Sequence, residues 1–347
     1  SLNNDIINKI TQEQKLFRNK NFVALPVAFR FPETRWGGGV AGAASFGFSR
    51  DKPDAKMSQI SFGATFTQNK QILLFVPFKI FLKDDKYYLF SENGWYRFNY
   101  VYGGIGENRV PDEKYDVDYF RLRLLVAQKL NYSTYIGLRL NFENYIITGT
   151  AEGGELSTGL INGSRDSRTS GVGLSVLKDT RDDVFYPTKG IFGEFFIVPS
   201  SRIFGANRNF TKISGDFSYY LKIHKNSIFA QNLVAISNIG DVPFNQLAYL
   251  GGQLKMRGIL EGYFRDNNAL IYQTELRQKV WKKLGAVAFG SVAFLGNQED
   301  ILRLQKPKFT YGAGLRLATK NNLNLRLDYA LSPYTNGNFY ATIGEAF

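Results

Sequence analysis

The side chains that most often carry chemistry are scarce in this chain. His224 is its one histidine, cysteine is absent, and no group of His, Asp and Glu has the spacing of a metal site. Asp112, Glu113, Asp116 and Asp118 are crowded enough to attract a divalent cation, but they lack the EF-hand pattern and read as solvated loop charge. Gly37, Gly38 and Gly39 are not followed by the Lys-Ser or Lys-Thr of a phosphate loop. The expectation is therefore a protein with no catalytic residue, no metal and no cofactor.

Charge is the second chemical resource. With 43 Lys plus Arg against 30 Asp plus Glu, the net charge is +13, which suits nucleic acid, anionic lipid or an anionic solute, and the placement of the cations decides among them. Arg121, Arg123, Arg139, Arg316 and Arg326 all fall on the polar side of alternating segments. Asp216, Glu275 and Asp328 fall on such sides too, and pairing is the default for charges gathered inside a membrane protein.

The elements that must position these groups are strands. From Leu323, the residues Leu323, Leu325, Leu327, Tyr329 and Leu331 form one face, opposite Asn324, Arg326, Asp328 and Ala330. Ile136, Leu138, Leu140 and Phe142 oppose Gly137, Arg139 and Asn141 in the same way. Side chains alternate across a strand, and a membrane barrel must be apolar on one side only. These patterns run for about ten residues, the span of a tilted membrane strand, rather than the five or six usual in soluble sandwiches. The longest apolar run, Ile72 to Phe78, is far too short for a transmembrane helix. Thirty Phe, 20 Tyr and 34 Gly favour strands and tight turns, and the lack of cysteine suits passage through an oxidising periplasm.

Placing a strand on every such run predicts an all-β fold, a transmembrane antiparallel β-barrel of about 16 strands. Short connections near Asp84, Asn131, Lys225, Lys282 and Asn321 define a periplasmic end. Long ones around Pro111, 154–167, 240–266 and 298–306 define the extracellular end, and the 50–56 connection is longer than its side predicts. Leu2, Ile6, Ile10 and Phe17 share one helical face, so residues 3–18 are expected to form a short amphipathic helix. The division is residues 1–20 as an N-terminal periplasmic extension and 21–347 as the barrel. The expected location is the bacterial outer membrane, with membrane lipid as a partner and not nucleic acid; other outer-membrane or periplasmic proteins are partners that the family resemblance below implies.

Two local features point to function. Pro26 lies inside the first strand, where it removes a ladder donor and is tolerated at an edge or bulge. The first strand must pair with the last to close the barrel, so residues 22–31 and 339–347, with Pro26, Gly344 and Phe347, are expected to form a weakened seam. Phe347, at the end of the last strand, is expected near the periplasmic interface, where aromatics anchor.

Four patterns together resemble the BamA/TamA superfamily of outer-membrane assembly barrels, also called bacterial surface antigen barrels. Leu177-Lys-Asp-Thr-Arg-Asp-Asp-Val-Phe-Tyr-Pro-Thr-Lys-Gly190 is similar to the family's D-T-R-D periplasmic turn, with Asp179, Arg181, Asp182, Pro187 and Gly190 in the turn positions. Gly251-Gly-Gln-Leu-Lys-Met-Arg-Gly258 resembles its long sixth loop, although the tip here continues with Ile259 where the family has an aromatic. Tyr311-Gly-Ala-Gly-Leu-Arg316 with Asn324-Leu-Arg-Leu-Asp-Tyr-Ala330 is similar to its penultimate strands, and Phe339 to Phe347 to its terminal assembly signal.

The resemblance implies that the loop folds into the lumen and that Arg257 pairs with acids on the inner wall, Glu275 first. It implies a second acid on the following strand, where this chain has Gly290 and Ser291. It also implies periplasmic POTRA domains ahead of the barrel, for which some 20 residues leave no room. The function implied is assistance to insertion or translocation of proteins at the outer membrane. The alternative is an anion-conducting pore or a structural barrel subunit of an outer-membrane complex.

Overall fold

A computed structural model of the chain describes residues 17–48, 56–183, 186–318 and 324–347. The predicted helix at 3–18 falls almost wholly outside these residues, and Phe17 and Arg18 at its end already belong to the first strand.

Sixteen antiparallel strands form one closed sheet. They are β1 (Phe17–Phe31), β2 (Arg35–Phe48), β3 (Ser58–Thr67), β4 (Ile72–Phe75, resuming as Phe78–Leu82), β5 (Tyr87–Ile105), β6 (Asn108–Asn131), β7 (Thr134–Thr150) and β8 (Asp166–Asp179). There follow β9 (Gly190–Ser200), β10 (Phe210–His224), β11 (Ser227–Gly240), β12 (Asn268–Trp281), β13 (Leu284–Gly296), β14 (Lys308–Ala318), β15 (Asn324–Ser332) and β16 (Thr335–Ile343). Each pairs with its sequence neighbours, and β1 meets β16 to close the ring. The interruption in β4 falls at Val76-Pro77, where proline cannot donate to the ladder; the Asn93 side chain instead donates to the Val76 carbonyl at 2.7 Å.

Alternation becomes an inside and an outside. Leu138, Leu174, Phe195, Leu276, Leu315 and Leu327 are exposed on the outer wall, where lipid replaces water, so their exposure carries no hydrophobic cost. Their strand neighbours Arg139, Ser175, Glu275, Arg316, Arg326 and Asp328 are buried in the lumen. On the end bearing the longer connections, Tyr102, Tyr115 and Tyr145 fill the lumen and surround Phe244 of the β11–β12 loop with edge-on ring contacts. That loop, residues 241–267, carries a short hairpin of its own, Ala248–Leu250 against Phe264–Asp266.

The closing pair differs from the rest. β1 and β2 are paired from Phe17↔Phe48 through Pro26↔Val40 to Phe31↔Arg35. Between β1 and β16 the described residues give the single register pair Arg30↔Ala341, with the Arg30 guanidinium 5.6 Å over the Phe339 ring.

Candidate functional site

The β11–β12 loop turns inward and places its tip, Met256-Arg257-Gly258-Ile259, against the β12–β16 wall. Sequence dictates this locally. Met256 and Ile259 are apolar and wholly buried, packed with Leu250, Phe264, Ile271 and Ala293. Gly251 and Gly252 have φ of +102° and +98°, and the Gly252 amide donates to the Ile259 carbonyl at 3.0 Å, closing the base of the tip. Gly258 has φ of +107°, and a Cβ there would lie 3.1 Å from the Leu331 carbonyl, so both its backbone and its fit against β15 demand glycine.

Arg257 lies at the centre, with 2% of its side chain exposed. One of its terminal nitrogens bonds Glu275 on β12 and the other bonds Asp328 on β15. Its guanidinium also stacks 3.7 Å over the Phe289 ring of β13. Thus the strand that offers only Gly290 and Ser291 as polar residues near this level contributes an aromatic face, and the second acid comes from two strands further on. Room for Asp328 is made by Gly314 on the paired position of β14: a Cβ there would fall 1.9 Å from the Asp328 carboxylate.

The acids serve several arginines. Glu275 also accepts from Arg277 Nε at 2.8 Å, Asp328 from Arg316 Nη1 at 2.6 Å, and Arg326 Nε lies 3.6 Å from Asp328. Such sharing offsets the desolvation of the buried charges, since each carboxylate faces more than one cation.

The loop also reaches both sides of the closing pair. The Gly258 amide donates to the Tyr340 hydroxyl on β16 at 2.9 Å. Its carbonyl accepts from the hydroxyls of Ser332 at 2.9 Å and Thr335 at 2.7 Å, in the β15–β16 hairpin. On the β1 side, the Glu261 amide donates to Glu33 in the β1–β2 turn at 2.8 Å. Burial pushes the Glu33 carboxyl up to about 7, and the neighbouring Glu261 carboxylate acts in the same direction.

The last residues depart from the expected interfacial anchor. At Gly344, φ +92°, the chain leaves the wall and turns into the lumen. Glu345 accepts from Arg316 at 2.8 Å and from Asn324 at 2.6 Å. Phe347 accepts from Arg277 at 2.9 Å through a backbone oxygen, and its ring lies 5.5 Å beneath the same guanidinium. The physical reason is charge: Glu345 would otherwise face lipid, while the inward arginines offer it partners.

The periplasmic turn between β8 and β9 is a separate structure. Arg181 grips the Asp179 carboxylate with two parallel bonds of 2.9 Å. Asp182 accepts from the amides of Thr188 at 2.9 Å and Lys189 at 3.2 Å and from the Thr188 hydroxyl at 2.5 Å. Burial opposes the charge of Asp182, but these donors outweigh it and hold the carboxyl below the usual range. Pro187 is buried, and Gly190 enters β9 at φ +105°. His224 ends β10 beside Ser227, away from both constellations. Among the described residues no group of His, Asp and Glu is placed to hold a metal ion.

The residues that sequence reasoning left unassigned are Tyr340, Ser332, Thr335, Glu33 and Glu261. Their one signal is lumenal parity or position in a tight hairpin, which many polar residues share. Asp328 stood among the inward acids but carried no mark tying it to Arg257.

A closed 16-stranded barrel with a lipid-facing apolar wall and an internally latched extracellular loop is an integral outer-membrane protein. Residues 39–347 match the Omp85 superfamily domain, and the chain belongs to that superfamily. Among solved structures it is similar to BamA from Haemophilus ducreyi lacking POTRA domains 1-3, with a TM-score of 0.65 at 9% identity, covering 98% of this chain and 77% of that one. It is also similar to CdiB from Escherichia coli, TM-score 0.61 at 15% identity, covering 93% of this chain and 62% of that one. CdiB from Acinetobacter baumannii gives 0.55 at 10% identity, covering 96% and 66%. No curated protein sequence matches the chain.

Proposed function

We propose that this barrel assists the insertion or translocation of proteins at the outer membrane, working with partner proteins. The observation that carries this reading is the β1–β16 closure. Among the described residues a single register pair joins two strands whose other edges carry long ladders to β2 and β15, so their facing edges hold backbone donors and acceptors that an incoming strand can use. Membership of the Omp85 superfamily supports it, as does the inward turn at Gly344, after which Glu345 and Phe347 bond lumenal arginines.

The pore reading gains less support, because loop residues and aromatic rings occupy the lumen at the extracellular end. The test is reconstitution. Vesicles containing the purified barrel should speed the folding of a second, unfolded barrel protein. Cysteines placed at Arg30 and Ala341, oxidised to lock the seam, should abolish the acceleration and reduction should restore it. Equal acceleration by the locked barrel would exclude the seam as the working element.

A further inference from the structure

The extracellular end of β8–β10 carries a feature that the latch does not use. Leu174 and Val176 of β8 are exposed to lipid, and Arg168 shares their parity, so it projects from the outer wall near the extracellular rim. Above it, the turn Arg202–Phe204 presents Ile203 at 89% exposure and Phe204 at 47%. Leu160, in the neighbouring β7–β8 loop, is 87% exposed.

Four arginines, Arg165, Arg168, Arg202 and Arg208, surround these apolar tips. Among the described residues none is ion-paired with a carboxylate, although Asp166 lies beside them at the start of β8 and Asp241 opens the β11–β12 loop. Those two acids are instead engaged by the side-chain amides of Asn207 and Asn162, at 3.2 and 2.7 Å. The loops are knit into one surface: Arg168 Nε donates to the Gly205 carbonyl at 2.8 Å, its amide to Asn207 at 3.1 Å, and Arg208 to the Asp166 carbonyl at 3.1 Å.

The β13–β14 loop of the same molecule offers a contrast. It also presents an exposed leucine, Leu302, but its cations are matched: Arg303 with Asp300 at 3.4 Å and Lys306 with Glu107 at 3.2 Å. At β8–β10, exposed apolar side chains and unmatched guanidinium groups coincide on the lipid side of the rim. Aliphatic tips favour acyl chains, and guanidinium forks match phosphate oxygens in bidentate fashion.

We propose that this rim is a docking surface for the phosphorylated headgroup of an outer-leaflet glycolipid. Arg168 and Arg202 contact the phosphate, and Ile203 and Phe204 enter the adjoining acyl boundary. The surface would hold the β8–β10 side of the wall at a fixed depth while the opposite wall, at the β1–β16 closure, keeps its weaker pairing.

The experiment uses the intact chain folded in neutral detergent, with purified lipopolysaccharide and the same material stripped of phosphate, and native mass spectrometry to measure retained glycolipid per barrel. Retention should be strong for the phosphorylated form and weak for the stripped one. Arg168→Gln and Arg202→Gln should each weaken it by about tenfold, the worth of a hydrogen bond to a charged group. Arg303→Gln serves as the matched-charge control and should leave it unchanged. Because Arg168 also holds the Gly205 carbonyl, Arg202→Gln, which removes only an exposed side chain, keeps the test valid should the first variant misfold. Equal retention of the phosphate-free glycolipid, or unchanged retention in Arg202→Gln, would overturn the proposal. So would equal retention of a soluble polyanion without acyl chains.

Discussion

Replacing Arg257 with alanine removes the one cation that, among the described residues, touches both Glu275 and Asp328. Taking one partner from a buried ion pair costs about 3–5 kcal/mol, because the remaining charge stays desolvated. Here each acid keeps a second arginine, Arg277 for Glu275 and Arg316 for Asp328, at 2.8 and 2.6 Å. The lower end therefore applies. About 3 kcal/mol lost from docking of the loop lowers the ratio of docked to released tip roughly 150-fold.

Hydrogen exchange followed by mass spectrometry reads this directly. The amides of Gly252, Ile259 and Gly262 are bonded only while the tip keeps its shape, so they should exchange about that much faster, while amides in β12 stay protected. Arg257→Lys keeps the charge but cannot reach both acids with a planar fork, and should fall between the two. A double-mutant cycle with Glu275→Ala should show positive coupling. Unchanged exchange at the tip of Arg257→Ala, or a cycle with no coupling, would refute the assignment of the arginine as the latch.

Gly314→Ala should act on the same latch from behind, since its methyl group claims the space of the Asp328 carboxylate; faster tip exchange with the barrel still resistant to unfolding in cold detergent would show it. Glu33 gives a pH dependence. The docked loop raises its carboxyl from the ordinary 4.5 to about 7, so the docked state holds a proton that the released state gives up. Docking should therefore be tightest below pH 4.5 and weaken as pH rises through about 7, with Glu33→Gln abolishing the trend in tip exchange. Asp182→Ala strips the acceptor from four donors in the β8–β9 turn and should cost about 1–2 kcal/mol, read as a lower temperature for the electrophoretic shift of the folded barrel.

Much of the barrel was legible because lipid on one side and a polar lumen on the other impose a strict period of two. Leu138 and Arg139, or Leu315 and Arg316, declare their faces from sequence alone. Arg257 and Glu275 could be named from a resemblance, and parity put Glu275 inside. What parity cannot supply is distance around the ring. Asp328 reaches Arg257 from β15 because Gly314 leaves space on the strand between, a relation between positions that no local pattern records. The turn of the chain at Gly344 was equally hidden: an alternating segment ending in phenylalanine predicts a strand end at the interface, and only the inward arginines make the lumen preferable for Glu345.

The loop and the closure are thermodynamically one device. Gly258 bonds the β15–β16 hairpin and Tyr340, while Glu261 bonds the β1–β2 turn, so the loop spans the closing pair from within. Any parting of β1 from β16 must break one set of these bonds or strain the tip between them. Releasing the tip must then favour parting by the same free energy, since coupling is reciprocal. The pairing at Arg30↔Ala341, the one register pair between β1 and β16 among the described residues, is thus backed by internal bonds whose acidic member, Glu33, is sensitive to protonation. A cysteine pair across the closure should form a disulfide faster in wild type than in Arg257→Ala, and equal rates in the two proteins would show the loop and the closure to be independent.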